Sequence, residues 1–187
     1  MLQLIKGKKN YFLIGAILLQ VSILAGEYLN SIYPLWTGKS IRLSIIPVDP
    51  RSLFQGHFVR LKYDIGDIKS DLLKEKTSLP GGTVVYVSLE EKNSVYQPTQ
   101  VSIEKPDRGV FLKGRLTNSY HFQSSRKLKL KYGIEAYFLP EEKAKQMEKD
   151  FQKSRKNSND TSPVIGIAEA KVASNGKAAL VGVEVNH

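Results

Sequence analysis

The sequence contains no cysteine, one tryptophan and three histidines among its 187 residues. The lack of cysteine excludes a disulfide framework, a thiolate metal site and a cysteine nucleophile, so disulfide bridges give no information on the redox compartment. The histidines are His57, His121 and His187. No two of them have the short spacing that places a pair of imidazoles on one face of a helix or strand. We therefore expect no metal site and no cofactor.

Acidic residues are also scarce, since 18 Asp and Glu stand against 28 Lys and Arg and the formal net charge is +10. Such an excess suits nucleic acid, anionic lipid headgroups or an acidic protein partner, because the same screened attraction acts in all three cases. Charge alone does not select among them. The length allows one domain of ordinary size and a short appendage.

One long hydrophobic run lies near the N-terminus. Residues 11–26 carry no charge and follow a basic flank at residues 1–10. A helix over residues 11–33 is long enough to cross the hydrocarbon layer, since about 20 residues at about 1.5 Å each suffice. We therefore predict a transmembrane anchor at residues 11–33 that contacts the lipid bilayer. A cleaved signal peptide has a similar start, so processing between Ala25 and Gly26 stays an alternative.

The flanks of this run predict its orientation. Positive charge favours the cytoplasmic side of a membrane, and aromatic side chains favour its interfaces. Three lysines lie between residues 6 and 9, and aromatic side chains follow the run at Tyr28, Tyr33 and Trp36. We expect a cytoplasmic N-terminus and a C-terminal domain in the periplasm or an organelle lumen.

From residue 40 to residue 187 the sequence predicts one mainly β domain. Short runs alternate apolar and polar residues, which is the period of half-buried strands. The alternating apolar residues are Ile41, Leu43 and Ile45; Val59, Leu61, Tyr63 and Ile65; Val85, Val87 and Leu89; Val110, Leu112 and Leu116; and Leu128, Leu130 and Tyr132. Beside the last run, the lysines 127, 129 and 131 take the opposite, solvated face. Turn residues separate the runs, so we predict a barrel or a sandwich.

A helix on the surface of this sheet is predicted after Pro140. Two glutamates follow the proline, as in a helix start, and Ala144, Met147 and Phe151 then fall on one face. Residues 153–163 are almost free of apolar side chains, so we predict a mobile loop there.

Two further pairings follow from local patterns. The apolar segments 164–172 and 178–185 flank Asn175 and Gly176, and Asn-Gly supplies the positive φ angles of tight hairpin turns. We therefore predict a terminal hairpin. Residues 61–65 (LKYDI) and 130–134 (LKYGI) form a near repeat, which suggests that these two segments pair as strands.

Residues 56–63, with the sequence GHFVRLKY, resemble the signature of the family of small membrane-anchored proteins named for its GDYxxLxY motif. The motif positions in this chain are Gly56, His57, Phe58, Leu61 and Tyr63. His57 stands where the family has Asp, and Phe58 where it has Tyr. The tyrosine and leucine at the end of the motif can simply be core residues of a strand, since strand tyrosines usually pack their rings.

The resemblance extends to residues 131–141, which are similar to a second stretch of that family, and to the terminal hairpin. It implies a single N-terminal span. For photosynthetic members it implies the biogenesis of membrane complexes such as photosystem II. For this chain it implies an assembly factor that binds an integral membrane protein complex or the insertion machinery. The N-terminus would then lie in the cytoplasm or stroma, and the domain in the periplasm or thylakoid lumen.

A complete catalytic set is missing. Residues 50–63 are also similar to the β core of membrane signal peptidases, which need a serine eight residues before the glycine and a buried lysine. That position holds Val48, Ser52 is four residues out of place, and Lys62 lies on the polar face. We therefore predict a protein that is not an enzyme. A hydrolase or ligand-binding barrel with His57 in its site stays the alternative.

The basic residues of the sheet are the candidate contacts for a partner. Their solvated face suits an acidic loop of a membrane protein or anionic lipid headgroups. A nucleic-acid platform needs aromatic and basic side chains on one face, whereas Tyr132 and Lys131 alternate to opposite faces, so we expect no nucleic acid. The partner-binding candidates are Arg51, Arg60, Lys62, Lys127, Lys129 and Lys131.

Overall fold

The computed structural model describes residues 2–46, 58–122, 124–140, 142–143, 146–147, 149–150 and 166–185. The chain begins with one long helix, α1 (Leu2–Thr37). Its large apolar side chains between residues 11 and 29 are exposed, so the described part of the domain does not cover them. The segment Tyr11–Thr37 is long and apolar enough to cross a membrane.

Helix α1 extends beyond both ends of the segment 11–33 and continues through Pro34. A proline inside a helix has no N–H, so the carbonyl four residues earlier, that of Asn30, loses its donor. The Nζ atom of Lys177 donates to this carbonyl at 2.7 Å. A side chain of the β domain thus replaces the hydrogen bond that the proline removes, and the helix continues to Thr37.

The described residues form eleven strands. They are β1 (Lys39–Ile46), β2 (Phe58–Arg60), β3 (Lys62–Tyr63), β4 (Asp67–Lys69), β5 (Val84–Lys92), β6 (Val95–Ser102), β7 (Val110–Leu116), β8 (Lys127–Lys131), β9 (Ala136–Phe138), β10 (Gly166–Val172) and β11 (Ala178–Val185). Short 3-10 turns at Asp64–Gly66 and Ser70–Leu72 flank β4.

Within the described part of the chain these strands make three sheets. Their orders are β11-β10-β1-β3, β2-β9 and β4-β8-β7-β5-β6, and the strand pairs are antiparallel. The two larger sheets share one hydrophobic core, to which β1, β5, β7, β8 and β10 contribute buried side chains. The fold is therefore mainly β with one N-terminal helix, as the sequence predicts.

The predicted alternation is confirmed in β1, β5, β7 and β8. In β8, for example, Leu128 and Leu130 are buried, whereas Lys127, Lys129 and Lys131 are exposed. The basic face of the sheet is therefore a solvated face, because the strand period places every lysine of this run opposite the core.

Residues 59–65 do not form the continuous strand that their alternation predicts. Strand β2 pairs with β9, whereas β3 pairs with β1. Leu61 lies between them and donates its N–H to the carbonyl of Glu135 at 2.8 Å. The four apolar residues of the run are nevertheless buried. The chain passes here from one sheet to another while its side chains keep pointing into the same core.

The predicted terminal hairpin is confirmed, since β10 and β11 pair on either side of residues 173–177. Gly176 has a φ of 80°, but the described non-glycine residues with positive φ are Asn93 and Ser94, so Asn175 does not supply the second positive φ. Its Oδ1 atom instead accepts the backbone N–H of Lys177 at 2.9 Å. One left-handed glycine at the end of the turn is typical of hairpin loops longer than two residues.

The surface helix predicted after Pro140 is partly described. The described helical positions there are 142–143, 146–147 and 149–150. Met147 packs against the core, as expected for the apolar face of this helix. Ala144, Phe151 and the predicted loop at residues 153–163 lie outside the described residues.

Candidate basic binding groove

Four of the predicted contact residues line one groove of about 620 Å³. It lies where β3 and β4 meet the end of β8 and the turn that leads to β9. The cationic residues of its lining are Arg60, Lys62, Lys129 and Lys131. The fold thus brings together basic side chains from two segments that are distant in the sequence.

Strand register decides which lysines of β8 reach the groove. Lys129 lies opposite Asp67 of β4, and Lys127 lies opposite Lys69 at the other end of the same ladder. The lining of the groove includes Lys129 but not Lys127. The basic run of β8 is therefore divided between the groove and the neighbouring surface.

One of the four cations has an acidic partner inside the groove. The Nζ atom of Lys62 lies 2.7 Å from Oδ2 of Asp67, and both side chains are partly exposed, so water screens this pair. Arg60, Lys129 and Lys131 make no ion pair with any residue that the structure describes. These three cations remain available to an anionic group from outside.

Two buried tyrosines lie at the base of the groove. The hydroxyl of Tyr63 donates to the carbonyl of Ile134 at 2.7 Å, and the hydroxyl of Tyr132 donates to the carbonyl of Ile65 at 2.6 Å. Burial raises the pKa of both hydroxyls well above the ordinary tyrosine value, and the negative charge of Glu135 adds to the effect. Both groups therefore stay protonated and act as structural donors.

The carboxylate of Glu135 closes the turn between β8 and β9. It accepts the backbone N–H of Tyr132 at 2.5 Å and that of Gly133 at 2.9 Å. Gly133 has a φ of 85°, a conformation that glycine adopts without steric cost. Because backbone donors already engage this carboxylate, it shapes the groove more than it competes for the cations.

The motif residues fall into two groups. Leu61 and Tyr63 are 3% and 2% exposed, so the end of the motif lies in the core. Phe58 opens β2, where its backbone lies opposite Phe138. The motif positions Gly56 and His57 and the contact candidate Arg51 lie outside the described residues.

The charged groups in the described part of the chain determine what the groove can bind. No three His, Cys, Asp or Glu residues there lie close enough together to hold a metal ion. Lys62 is partly exposed and paired with Asp67, which differs from the dry pocket that a general-base lysine needs. The arrangement of charges instead suits the binding of anionic groups.

Sequence reasoning does not identify the two acidic residues of the groove, Asp67 and Glu135. The available signal is the near repeat of residues 61–65 and 130–134. The prediction from this repeat, that the two segments pair as strands, is wrong. In the described strand ladders β3 pairs with β1, and β8 pairs with β4 and β7. The two segments are joined instead by the hydrogen bonds of their tyrosines.

Comparison with known proteins gives one result that covers most of the chain. No curated protein matches the chain, and no solved structure matches it either. A family model described as GDYXXLXY protein matches residues 20–183. The matched range includes Leu61 and Tyr63, the groove and the terminal hairpin up to Val183. Because the match extends over far more than half of the sequence, the chain belongs to the GDYXXLXY family.

Proposed function

We propose that this protein is a membrane-anchored binding protein without catalytic activity that assists the assembly of an integral membrane protein complex. The observation that carries the proposal is the groove, in which four basic residues meet above two buried tyrosines. Complementary charge speeds the encounter of such a surface with an acidic segment and fixes its register.

The chemistry of the groove favours an acidic protein segment. Arg60 offers a planar fork that binds a carboxylate through two N–H donors, whereas Lys129 and Lys131 act as point charges. Asp67 neutralises part of the charge through Lys62. This favours a partner with a few spaced carboxylates over nucleic acid, whose backbone needs many phosphate contacts.

Helix α1 supplies the membrane attachment in this proposal. Its exposed apolar surface suits lipid, and its C-terminal end is tied to the domain. Lys171 donates to the carbonyl of Leu35 at 2.9 Å, in addition to the bond between Lys177 and Asn30. Both bonds hold the domain near the membrane, where the loops of an integral membrane protein emerge.

The partner class comes from the family resemblance and the anchor. Family membership, with the basic flank before the apolar run, supports a cytoplasmic or stromal N-terminus and a domain in the periplasm or thylakoid lumen. The partner is then a membrane complex or insertion component on that side, with photosystem II as the photosynthetic example.

Protease protection in sealed vesicles of known orientation tests the anchor and its topology. We expect the C-terminal domain to be protected in vesicles that enclose the periplasmic or lumenal side, and to stay in the membrane after a carbonate wash. Digestion of the domain without opening the vesicles would overturn the topology. Release by the wash would overturn the anchor.

Affinity purification of the full-length protein from detergent extracts tests the groove. The wild type should recover a subunit of an integral membrane complex or an insertion component, and the double variant Arg60→Glu with Lys129→Glu should lose it. The control is Lys92→Glu, which changes an exposed lysine outside the groove. If the double variant and the control recover the partner equally well, the groove does not bind the partner.

A further inference from the structure

A second cavity, of about 490 Å³, lies between α1 and the β domain. The C-terminal part of α1, the tip of the β10–β11 hairpin, β7 and the end of β8 form its walls. The polar residues of its lining are Asn30, Lys113, Arg115, Lys131, Asn175 and Lys177. The cavity is therefore built at the junction between the helix and the domain.

The lining of this cavity contains four cations and no carboxylate among its described residues. The first groove differs, because Asp67 and Glu135 belong to its lining. Cations held close together repel one another, and a bound anion relieves this repulsion. The composition of the cavity therefore favours the binding of an anion.

Two of the cations are fixed by backbone carbonyls and two are free. Lys177 donates to the carbonyl of Asn30 at 2.7 Å, and Nη1 of Arg115 donates to the carbonyl of Gly82 at 2.9 Å. A guanidinium has five N–H donors, so Arg115 keeps others for a ligand. The side chains of Lys113 and Lys131 make no hydrogen bond or ion pair with described residues, so their ammonium groups can bind an anion.

The position of Asn30 sets the depth of the cavity relative to a bilayer. About 20 helical residues cross the hydrocarbon layer, so a span that begins near Tyr11 ends near Asn30. Tyr28 and Trp36 on either side are 65% and 72% exposed, as expected for aromatic residues at a membrane interface. The cavity therefore lies at the level of the lipid headgroups.

We propose that this cavity binds the phosphate of an anionic lipid headgroup from the leaflet beside the domain. Zwitterionic lipids carry the same phosphate, but their cationic group would meet four positive side chains. The lipid would fix the domain against the membrane in one orientation. This inference rests on the anchor of the proposed function. The cavity shares Lys131 with the first groove, so its tests use residues that line only one of the two sites.

Trp36 is the sole tryptophan of the chain and reports on lipid near the cavity. The assay uses full-length protein in neutral detergent micelles and measures quenching of its fluorescence by lipids with brominated acyl chains. We expect brominated phosphatidylglycerol to quench at much lower mole fraction than brominated phosphatidylcholine. Equal quenching by the two lipids would overturn the proposal.

The variant Lys113→Gln removes a free cation of the cavity that is absent from the lining of the first groove. Since one basic residue near an anionic surface contributes about 1 kcal/mol, this change should weaken the preference for phosphatidylglycerol roughly fivefold. Lys113→Arg should restore it. The control Lys92→Gln makes the same change in net charge elsewhere and should leave the preference unchanged. If Lys92→Gln weakens the preference as strongly as Lys113→Gln, the preference depends on the net charge of the protein and the proposed site is refuted.

Two further experiments distinguish this site from the first groove and from a site for soluble phosphate. Arg60→Gln changes the partner groove alone, so it should leave the lipid preference intact even if partner recovery is lost. Loss of the lipid preference in this variant would contradict a separate site. Inorganic phosphate should displace phosphatidylglycerol poorly, because it lacks the acyl chains that lie along α1. Complete displacement at equal concentration would assign the cavity to a soluble phosphate compound instead.

Discussion

Tyr63 and Tyr132 each donate a hydrogen bond to the carbonyl two residues beyond the other. The bond from Tyr63 to Ile134 is 2.7 Å long, and that from Tyr132 to Ile65 is 2.6 Å long. The exchange joins the chain between β3 and β4 to the turn after β8, and these two segments are the walls of the groove. The last tyrosine of the family motif is thus one half of a reciprocal connection that sets the spacing of the groove.

Tyr63→Phe should destabilise the domain by about 1–2 kcal/mol, because the carbonyl of Ile134 loses its donor inside the core. The measurement is urea unfolding of the full-length protein in detergent, followed by circular dichroism of the β domain. Tyr120→Phe is the matched control. Tyr120 is 4% exposed, and its hydroxyl makes no hydrogen bond with a described residue, so its loss should cost less than about 0.5 kcal/mol. Equal losses would show that the Tyr63 bond contributes little.

The raised pKa values of the two tyrosines predict a loss of stability in alkali. Their folded pKa lies above the ordinary value of 10.0, so above that pH the unfolded chain loses protons that the folded chain retains. Stability from this source is complete below pH 10.0 and falls as the pH rises, by about 1.4 kcal/mol per pH unit for each tyrosine. The double variant Tyr63→Phe with Tyr132→Phe should unfold with a shallower dependence on pH. Parallel curves for wild type and variant above pH 10.0 would contradict the assignment.

The strands could be predicted where local period alone determines them. In β1, Ile41, Leu43 and Ile45 are buried as their alternation requires, because successive side chains of any strand point to opposite faces. The break at Leu61 could not be predicted in this way. Its N–H bonds to Glu135, a tertiary contact that leaves no trace in the period of apolar residues.

Some turns also could not be predicted from local sequence patterns. The β5–β6 hairpin turns through Asn93 and Ser94, with φ angles of 52° and 64°. Its turn contains no glycine, the usual residue at positive φ, so the sequence carries a weaker signal there than at the terminal hairpin. The basic side of the groove followed from strand alternation, whereas its acidic residues, Asp67 and Glu135, are placed by the fold.

Gly176→Ala should destabilise the terminal hairpin by about 1–3 kcal/mol. A Cβ atom at Gly176 would lie 2.9 Å from the backbone nitrogen of Lys113 and 2.9 Å from the ring of Phe111, and its φ is 80°. The Lys113 N–H also donates to the carbonyl of Gly176 at 2.7 Å, so a shift of the turn would disturb the contact between the two large sheets. The measurement is the midpoint of thermal unfolding.

Gly182→Ala in the neighbouring strand β11 is the control for that experiment. Apart from its two chain neighbours, no atom of the described residues lies within 4 Å of the position of its Cβ, and its φ is not positive. We expect no loss of stability, or a gain of up to about 1 kcal/mol through the restricted unfolded chain. A loss as large as that of Gly176→Ala would show that glycine flexibility, rather than close approach, governs the hairpin.

Lys177 and Pro34 should be coupled, because the lysine supplies the hydrogen bond that the proline removes from α1. Lys177→Met should cost about 0.5–1.5 kcal/mol in the wild type, since the exposed carbonyl of Asn30 exchanges a charged donor for water. In a Pro34→Ala background the backbone N–H of the new alanine can bond to that carbonyl, so Lys177→Met should cost less. A double-mutant cycle on thermal unfolding of the full-length protein isolates this difference from the loss of the buried proline ring. Additive effects would mean that the lysine stabilises the junction by charge alone, through the negative end of the helix dipole.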